Sequence, residues 1–252
     1  MKKNSLISII ITYYKKKIFL EKTLNSIFNQ TYQNYELLFV YDDKDRNDLK
    51  FVKKCLSKFR NKKLIINKKN LGVAKSRNNA IKFSKGTYIA FIDSDDIWKK
   101  NKLKKQIQFM QKNKCNFSFT SYSIINEKNE ILAKRNVFFD ANYKILYNSN
   151  IVGLSTVMIN KAIKPLISFP NLRTQEDFAL WLKLCKKGVE LKHLKNNLSF
   201  WRKTKKSLSS NILNKITDAF KLYYMYEKKN FIFSVYSVLV LSYNKLLNKR
   251  FK

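Results

Sequence analysis

The chain has 252 residues, and its 52 Lys plus Arg against 17 Asp plus Glu give a formal net charge of +35. A hydrophobic fraction of 45% with 14% aromatics excludes intrinsic disorder, and the length suffices for one large domain, or one domain with an appendage, around a buried core. Such a charge suits a polyanion, an anionic membrane surface or a phosphate-bearing substrate, but Lys, Asn and Ile dominate throughout, so it reads chiefly as compositional drift with a secondary benefit for binding at a membrane. Nucleic acid is the weaker partner, because the lysines are dispersed, with no helix-turn-helix, zinc-finger or RNP-type pattern.

Residues 5 to 12, "SLISIIIT", are a short β-branched apolar run, which predicts a strand buried on both faces. The lysines on either side and the absence of a small-residue cleavage site make it a first strand rather than a signal peptide. From 18 to 30, Phe19, Leu20, Leu24, Ile27 and Phe28 recur at helical spacing, predicting an amphipathic helix. The alternation continues with strands at 35–41, 63–67 and 88–93 and helices at 49–59 and 73–84. Strands and helices of these lengths imply βαβ crossovers and a parallel sheet. Gly72 and Gly86 fall at junctions, where a chain needs positive φ or close backbone approach.

Beyond residue 100 the pattern loosens. A helix is expected at 102–113, a strand with one wet face at 116–125, a turn at "NEKNE", a strand at 155–160, and a strong amphipathic helix at 176–188 ending on Gly188. Cys55, Cys115 and Cys185 are odd in number, far apart and never in CxxC spacing, so they read as reduced core residues of a cytosolic protein. His193, the single histidine, has no partner constellation and reads as a surface or strand residue. A helical extension is expected from about 211. Its apolar stretch 231–247 falls short of the roughly 20 apolar residues of a spanning helix, leaving a helix docked on the body or one lying on an anionic leaflet.

Two of the acidic clusters stand at strand carboxyl ends, where parallel α/β sheets bind ligands. They are Asp42, Asp43 and Asp45 after "ELLFVY", and Asp93, Asp95 and Asp96 after "YIAFI". Neighbouring carboxylates repel, so holding them together calls for a compensating cation or hydrogen-bonding ligand. Asp-x-Asp without nearby His or Cys suits a hard divalent ion such as Mg²⁺ or Mn²⁺. The same residues would also cap a helix starting near Ile97 and Trp98, and the two readings weigh about evenly on the residues alone.

The stretches "SIIITYYKKKIFLEKTLNSIFNQTYQNYELLFVYDD" and "NLGVAKSRNNAIKFSKGTYIAFIDSDDIW", followed by "LSTVMINK" and "QEDFALWLKLCKKG", resemble the family 2 inverting glycosyltransferases of the GT-A fold. The resemblance implies an α/β, Rossmann-like fold with a mostly parallel central sheet. Residues 1–105 would form its nucleotide-sugar half and 106–210 the acceptor and catalytic-base half of the same domain, leaving 211–252 as the C-terminal helical extension, docked on the body or associating with a membrane. It implies that Thr12, in place of the commoner proline, and Tyr14 contact the nucleotide. Asp42 would hydrogen-bond uracil, with Asp43 as a substitute for the acidic neighbour that Tyr41 replaces, and Arg77 would lie near the nucleotide. Asp93 would reach ribose or sugar, Asp95 would ligate Mn²⁺ or Mg²⁺ on the diphosphate, and Asp177, with Glu176, would supply the catalytic base. The segment 200–210, "FWRKTKKSLSS", resembles the family's closing segment, in which a basic residue, here Arg202, covers the donor diphosphate. The processive Gln-x-x-Arg-Trp signature is absent, so one sugar per encounter is implied.

The resemblance further implies a UDP-sugar donor, a lipid-linked saccharide acceptor in cell-surface glycan synthesis, and a cytoplasmic protein peripheral to the inner face of the membrane. Two rivals compete. A nucleotidyltransferase would need a glycine-rich phosphate loop that "TYYKKK" lacks, and a catalytically degenerate glycan-binding scaffold is hinted at only by Thr12 and Tyr41.

Overall fold

The computed structural model describes residues 4–205 and 212–250. Residues 206–210 of the closing segment therefore lie outside the described residues. The first half alternates strictly: β1 (Ile7–Tyr13), α1 (Lys17–Phe28), β2 (Tyr35–Tyr41), α2 (Leu49–Leu56), β3 (Lys62–Ile66), α3 (Val73–Phe83) and β4 (Tyr88–Asp93). Every residue of β1 and β2 is buried, because helices cover both faces of this part of the sheet. That environment selects the unbroken apolar run and costs a strand its usual alternation.

A short strand, β5 (Ile97–Trp98), comes next, followed by α4 (Lys102–Lys112), β6 (Phe117–Ile125), β7 (Ile131–Arg135), α5 (Tyr143–Asn148), β8 (Met158–Asn160), α6 (Glu176–Lys186), β9 (Lys192–Arg202), α7 (Ile212–Lys221) and α8 (Phe231–Arg250). A 3-10 turn, Leu154–Thr156, precedes β8, so the strand expected at 155–160 is half turn. The strands form one sheet in the order β3-β2-β1-β4-β8-β6-β9-β5, with β7 pairing β6. Strands β1 to β4 pair in parallel, whereas β8 is antiparallel to both β4 and β6, and β7 to β6. Strand β6 also pairs β9 in parallel, so the sheet is mixed, with its longer ladders parallel and β5, β7 and β8 joined antiparallel. After β5 the strands are no longer each followed by a crossover helix, and a strand returning through a short turn, as β7 does, must run antiparallel.

One further expectation is corrected, and another is narrowed to one of its alternatives. Ile97 and Trp98 do not open a helix: they pair antiparallel with Ser199 and Phe200 of β9. His193 lies in β9 as one alternative allowed, but it is buried, with its Nε2 3.1 Å from the Ser121 hydroxyl.

The core lies on both sides of the sheet. One cluster joins Ile10, Leu38 and Phe91 to Phe178, Leu180 and Trp181 of α6, so the first and second halves share a single core. Trp181 packs edge-to-face on Phe117 and Phe169. Burying each such side chain contributes about 1.5–3 kcal/mol, which fixes the position of the α6 N-terminus. Gly86 packs against β1. A Cβ there would lie 2.5 Å from the Ser8 backbone nitrogen, and only glycine permits that approach. Its N–H donates to the Ser8 hydroxyl, which donates to Glu36 of β2.

Candidate active site

The strand order places β1 between β2 and β4, so crossovers leave β1 in opposite directions and open a crevice at its carboxyl end. Register sets Thr12 of β1 beside Asp93 of β4. Asp42 follows β2 directly. Its Oδ1 accepts from the Asn67 side chain and from the Leu71 N–H, both at 2.8 Å, so this carboxylate anchors the loop leading into α3. Asp43 is buried and accepts from the Asp45 N–H, closing a tight turn. Tyr14, just past β1, is exposed at 40% at the crevice rim.

Arg77 of α3 is buried and spans two carboxylates: it donates to Asp93 Oδ1 at 2.7 Å and to Glu176 Oε1. Arg77, expected near the nucleotide, joins the end of β4 to the first turn of α6 through its guanidinium. Phe169 lies under it, 5.3 Å from ring centre to guanidinium carbon. Gln175, the residue before α6, adopts a left-handed conformation with φ of 66°, a backbone geometry uncommon outside glycine and asparagine. It turns Glu176 and Asp177 together into the first helical turn. There the helix N-terminus favours negative charge, while burial opposes it. The Asp177 carboxyl is pushed up to about 7, first by burial and then by Glu176 beside it, with Arg77 and the Phe178 N–H pulling the other way. A carboxyl group titrating near neutrality suits general-base chemistry.

The three carboxylates of "DSDD" have three different fates. Asp93 pairs with Arg77. Asp95 Oδ2 pairs at 2.8 Å with Lys16, whose amine also donates to Thr204. Asp96 is buried, accepting from the Ser155 hydroxyl at 2.5 Å and the Arg202 N–H at 2.8 Å, and burial beside Asp95 and Asp93 drives its carboxyl well up. Asp96 therefore caps no helix; it ties the loop to β9 and to the turn before β8. Inside the protein the cluster's charge is met by Arg77, which pairs with Asp93, and by Lys16, which pairs with Asp95.

Arg202 is equally committed. Its Nε donates to the Asp95 carbonyl at 2.7 Å, and its terminal nitrogens to the Asn126 carbonyl and the Asn129 side chain, both at 2.8 Å. It braces the Asp95 backbone from the side of the turn between β6 and β7. Lys16, not expected as a site residue from the sequence, is the cation whose amine reaches this acidic loop, and its signal was its place in the short loop between β1 and α1.

The donor set fits a hard divalent ion in a limited way. Asp95 offers carboxylate oxygen with no His or Cys nearby, and among the described residues no group of three His, Cys, Asp or Glu converges. The chain would thus contribute one carboxylate and leave the remaining positions to phosphate oxygens and water, an arrangement usual for Mg²⁺.

Residues 8–162 match the model of glycosyl transferase family 2. The chain is 35% identical over 213 residues to the putative teichuronic acid biosynthesis glycosyltransferase TuaG of Bacillus subtilis, covering 82% of each. It is 37% identical over 212 residues to the UDP-Glc:alpha-D-GlcNAc-diphosphoundecaprenol beta-1,3-glucosyltransferase WfgD of Escherichia coli, covering 82% of this chain and 80% of that one. In fold it is similar to residues 1–349 of S. aureus TarS in complex with UDP-GlcNAc, with TM-score 0.73 at 20% identity over 90% of this chain and 69% of that one. The GT-A-like sheet, the family match and these relatives set the nucleotidyltransferase reading aside: the chain belongs to glycosyl transferase family 2 and is a glycosyltransferase.

Proposed function

We propose that the chain transfers a single sugar, with inversion and metal dependence, from a UDP-sugar to a saccharide acceptor on a lipid diphosphate, in cell-surface glycan synthesis at the inner face of the cytoplasmic membrane. One observation carries the reading: Arg77 links Asp93, at the carboxyl end of β4, to Glu176 beside Asp177, so the donor crevice and the candidate base belong to one site. The relative WfgD, named for a UDP-Glc donor and a diphosphoundecaprenol acceptor, supports the substrate classes.

In this mechanism Thr12, Tyr14, Asp42 and Asp43 line the nucleotide crevice, and Asp93 faces ribose or sugar. Asp177 accepts the acceptor hydroxyl's proton as that oxygen attacks the anomeric carbon, and the bond to the UDP oxygen breaks on the opposite side. A Mn²⁺ or Mg²⁺ ion held by Asp95 would neutralise the charge growing on the leaving diphosphate. Lys16 would leave Asp95 for that diphosphate and add a second positive charge, while Arg202 keeps the Asp95 backbone in position. Glu176 holds Arg77 and raises the basicity of Asp177.

The test is a screen of UDP-sugars against lipid-diphosphate saccharides, with Asp95→Ala and Asp177→Ala alongside. Transfer by the unmodified chain and its loss in both variants is expected. Full activity in both variants would overturn the site assignment, and binding of UDP-sugars without turnover would favour the scaffold reading.

A further inference from the structure

Helix α8 has two opposite faces. Ser234, Ser237, Val238 and Leu241 are buried against the body. On the other side Ile232, Tyr236, Leu239, Tyr243 and Leu246 recur at intervals of three and four residues, forming one stripe. Each of the five is between 58% and 77% exposed. Helix α7 adds Ile212 and Leu213, exposed at 69% and 75%. A contiguous run of large apolar side chains left facing water marks an interaction surface rather than ordinary surface scatter.

Charge identifies what covers it. Residues 212–250 contain seven Lys or Arg and two acids. Both acids are turned inward: Asp218 accepts from the Thr174 N–H and hydroxyl, and Glu227 pairs with Lys186. The exposed face therefore presents apolar and cationic groups with no exposed carboxylate among the described residues. A protein partner would have to match a narrow apolar stripe flanked by lysines, whereas an anionic bilayer matches both features at once. It takes apolar side chains at the depth of the headgroups and attracts the flanking lysines. Among the described residues no helix is long and apolar enough to cross a membrane, so a membrane-bound α8 would lie in the interface plane.

We infer that the α7–α8 face is a docking surface for an anionic lipid bilayer, with the Ile232-to-Leu246 stripe inserted among the headgroups. Asp218 connects this face to the catalytic loop, because Thr174 stands immediately before Gln175, Glu176 and Asp177. The docked face would thereby hold the candidate base near the membrane surface. That last step rests on the proposed function; the docking itself does not.

The experiment is vesicle flotation of the full chain without any substrate, using phosphatidylcholine alone and phosphatidylcholine with phosphatidylglycerol. Wild type should float with the anionic vesicles and be released as salt rises. The triple variant Ile232→Ser, Tyr236→Ser, Leu239→Ser, whose side chains touch little of the body, should bind at least tenfold more weakly while keeping the wild-type melting temperature and transfer to a short water-soluble acceptor. Equal binding by the triple variant would overturn the inference. So would absence of vesicle binding together with a dimer, seen by light scattering, that the triple variant abolishes. Vesicle binding by a chain that transfers no sugar would leave the docking surface standing and remove only the proposed activity.

Discussion

Asp177 is the point at which the site can be tested most sharply. Its carboxyl is pushed up to about 7, so with an unperturbed aspartate near 3.9 the group is shifted into the working range of a general base. The reactive form is the carboxylate. Its population falls from about nine tenths at one pH unit above that value to about one tenth at one unit below. The kcat/KM for transfer should therefore climb about tenfold between about pH 6 and pH 8, with a single proton lost on the rising limb. Asp177→Asn should lower kcat by about 100- to 10,000-fold and abolish that limb, since the amide cannot take a proton. Glu176→Gln supplies the sign: Glu176 raises the Asp177 carboxyl, so removing its charge should move the limb to lower pH. Initial rates with saturating metal at each pH measure all three. A flat profile across this interval, or Asp177→Asn transferring at wild-type rates, would refute the assignment of the base.

Chelation should abolish transfer and Mn²⁺ or Mg²⁺ should restore it, with Asp95→Ala raising the half-saturating metal concentration at least tenfold in a metal titration of activity. Gly86→Ala should lower stability by about 2–3 kcal/mol, because the new Cβ would meet backbone atoms of Ser8 and Leu6 at 2.5 and 2.8 Å; a urea midpoint shift at constant m-value reads this. Lys102 is fully buried, its amine 3.9 Å over the Trp98 ring and without a hydrogen-bond partner, and burial drives its pKa well below the ordinary value. Burial disfavours the charged amine, a cost to folding that fades as pH rises toward the unfolded value of about 10.4. Lys102→Met should therefore stabilise by about 1–3 kcal/mol near pH 7 and by less at high pH, as followed by thermal melts; lower stability at both pH values would contradict the argument.

The first four strands, their helices and the crevice between them were legible because β1, β2 and β4 are apolar runs buried on both faces, a pattern set by local sequence, and the edge strand β3 still carries a short apolar run, Leu64–Ile66. Strand β9 escaped notice: "KHLKNNLSFWR" carries lysines and asparagines, and its burial alternates irregularly, since register shifts interrupt its pairing with β6. The acidic loop was found from its charge, yet the separate fates of its carboxylates depend on partners far away in sequence. Arg77 meets Glu176 across 99 residues and Arg202 meets Asp96 across 106, and no local pattern encodes such pairs. Asp96 shows the limit most clearly. By composition it suited a helix cap, but tertiary hydrogen bonds from Ser155 and Arg202 claimed it instead.

The Arg77 bridge also bears on how this chain could be divided. A fragment ending at residue 105 would keep the nucleotide crevice but lose Glu176, leaving a buried cation with one carboxylate in place of two. It would also strip β8 from β4, turning a central strand into an open edge able to pair with any other chain. The first 105 residues are thus not a portable module. Grafting them onto another acceptor unit would require carrying the β8 edge and the α6 acid along with them, and the isolated fragment should be recovered as aggregate.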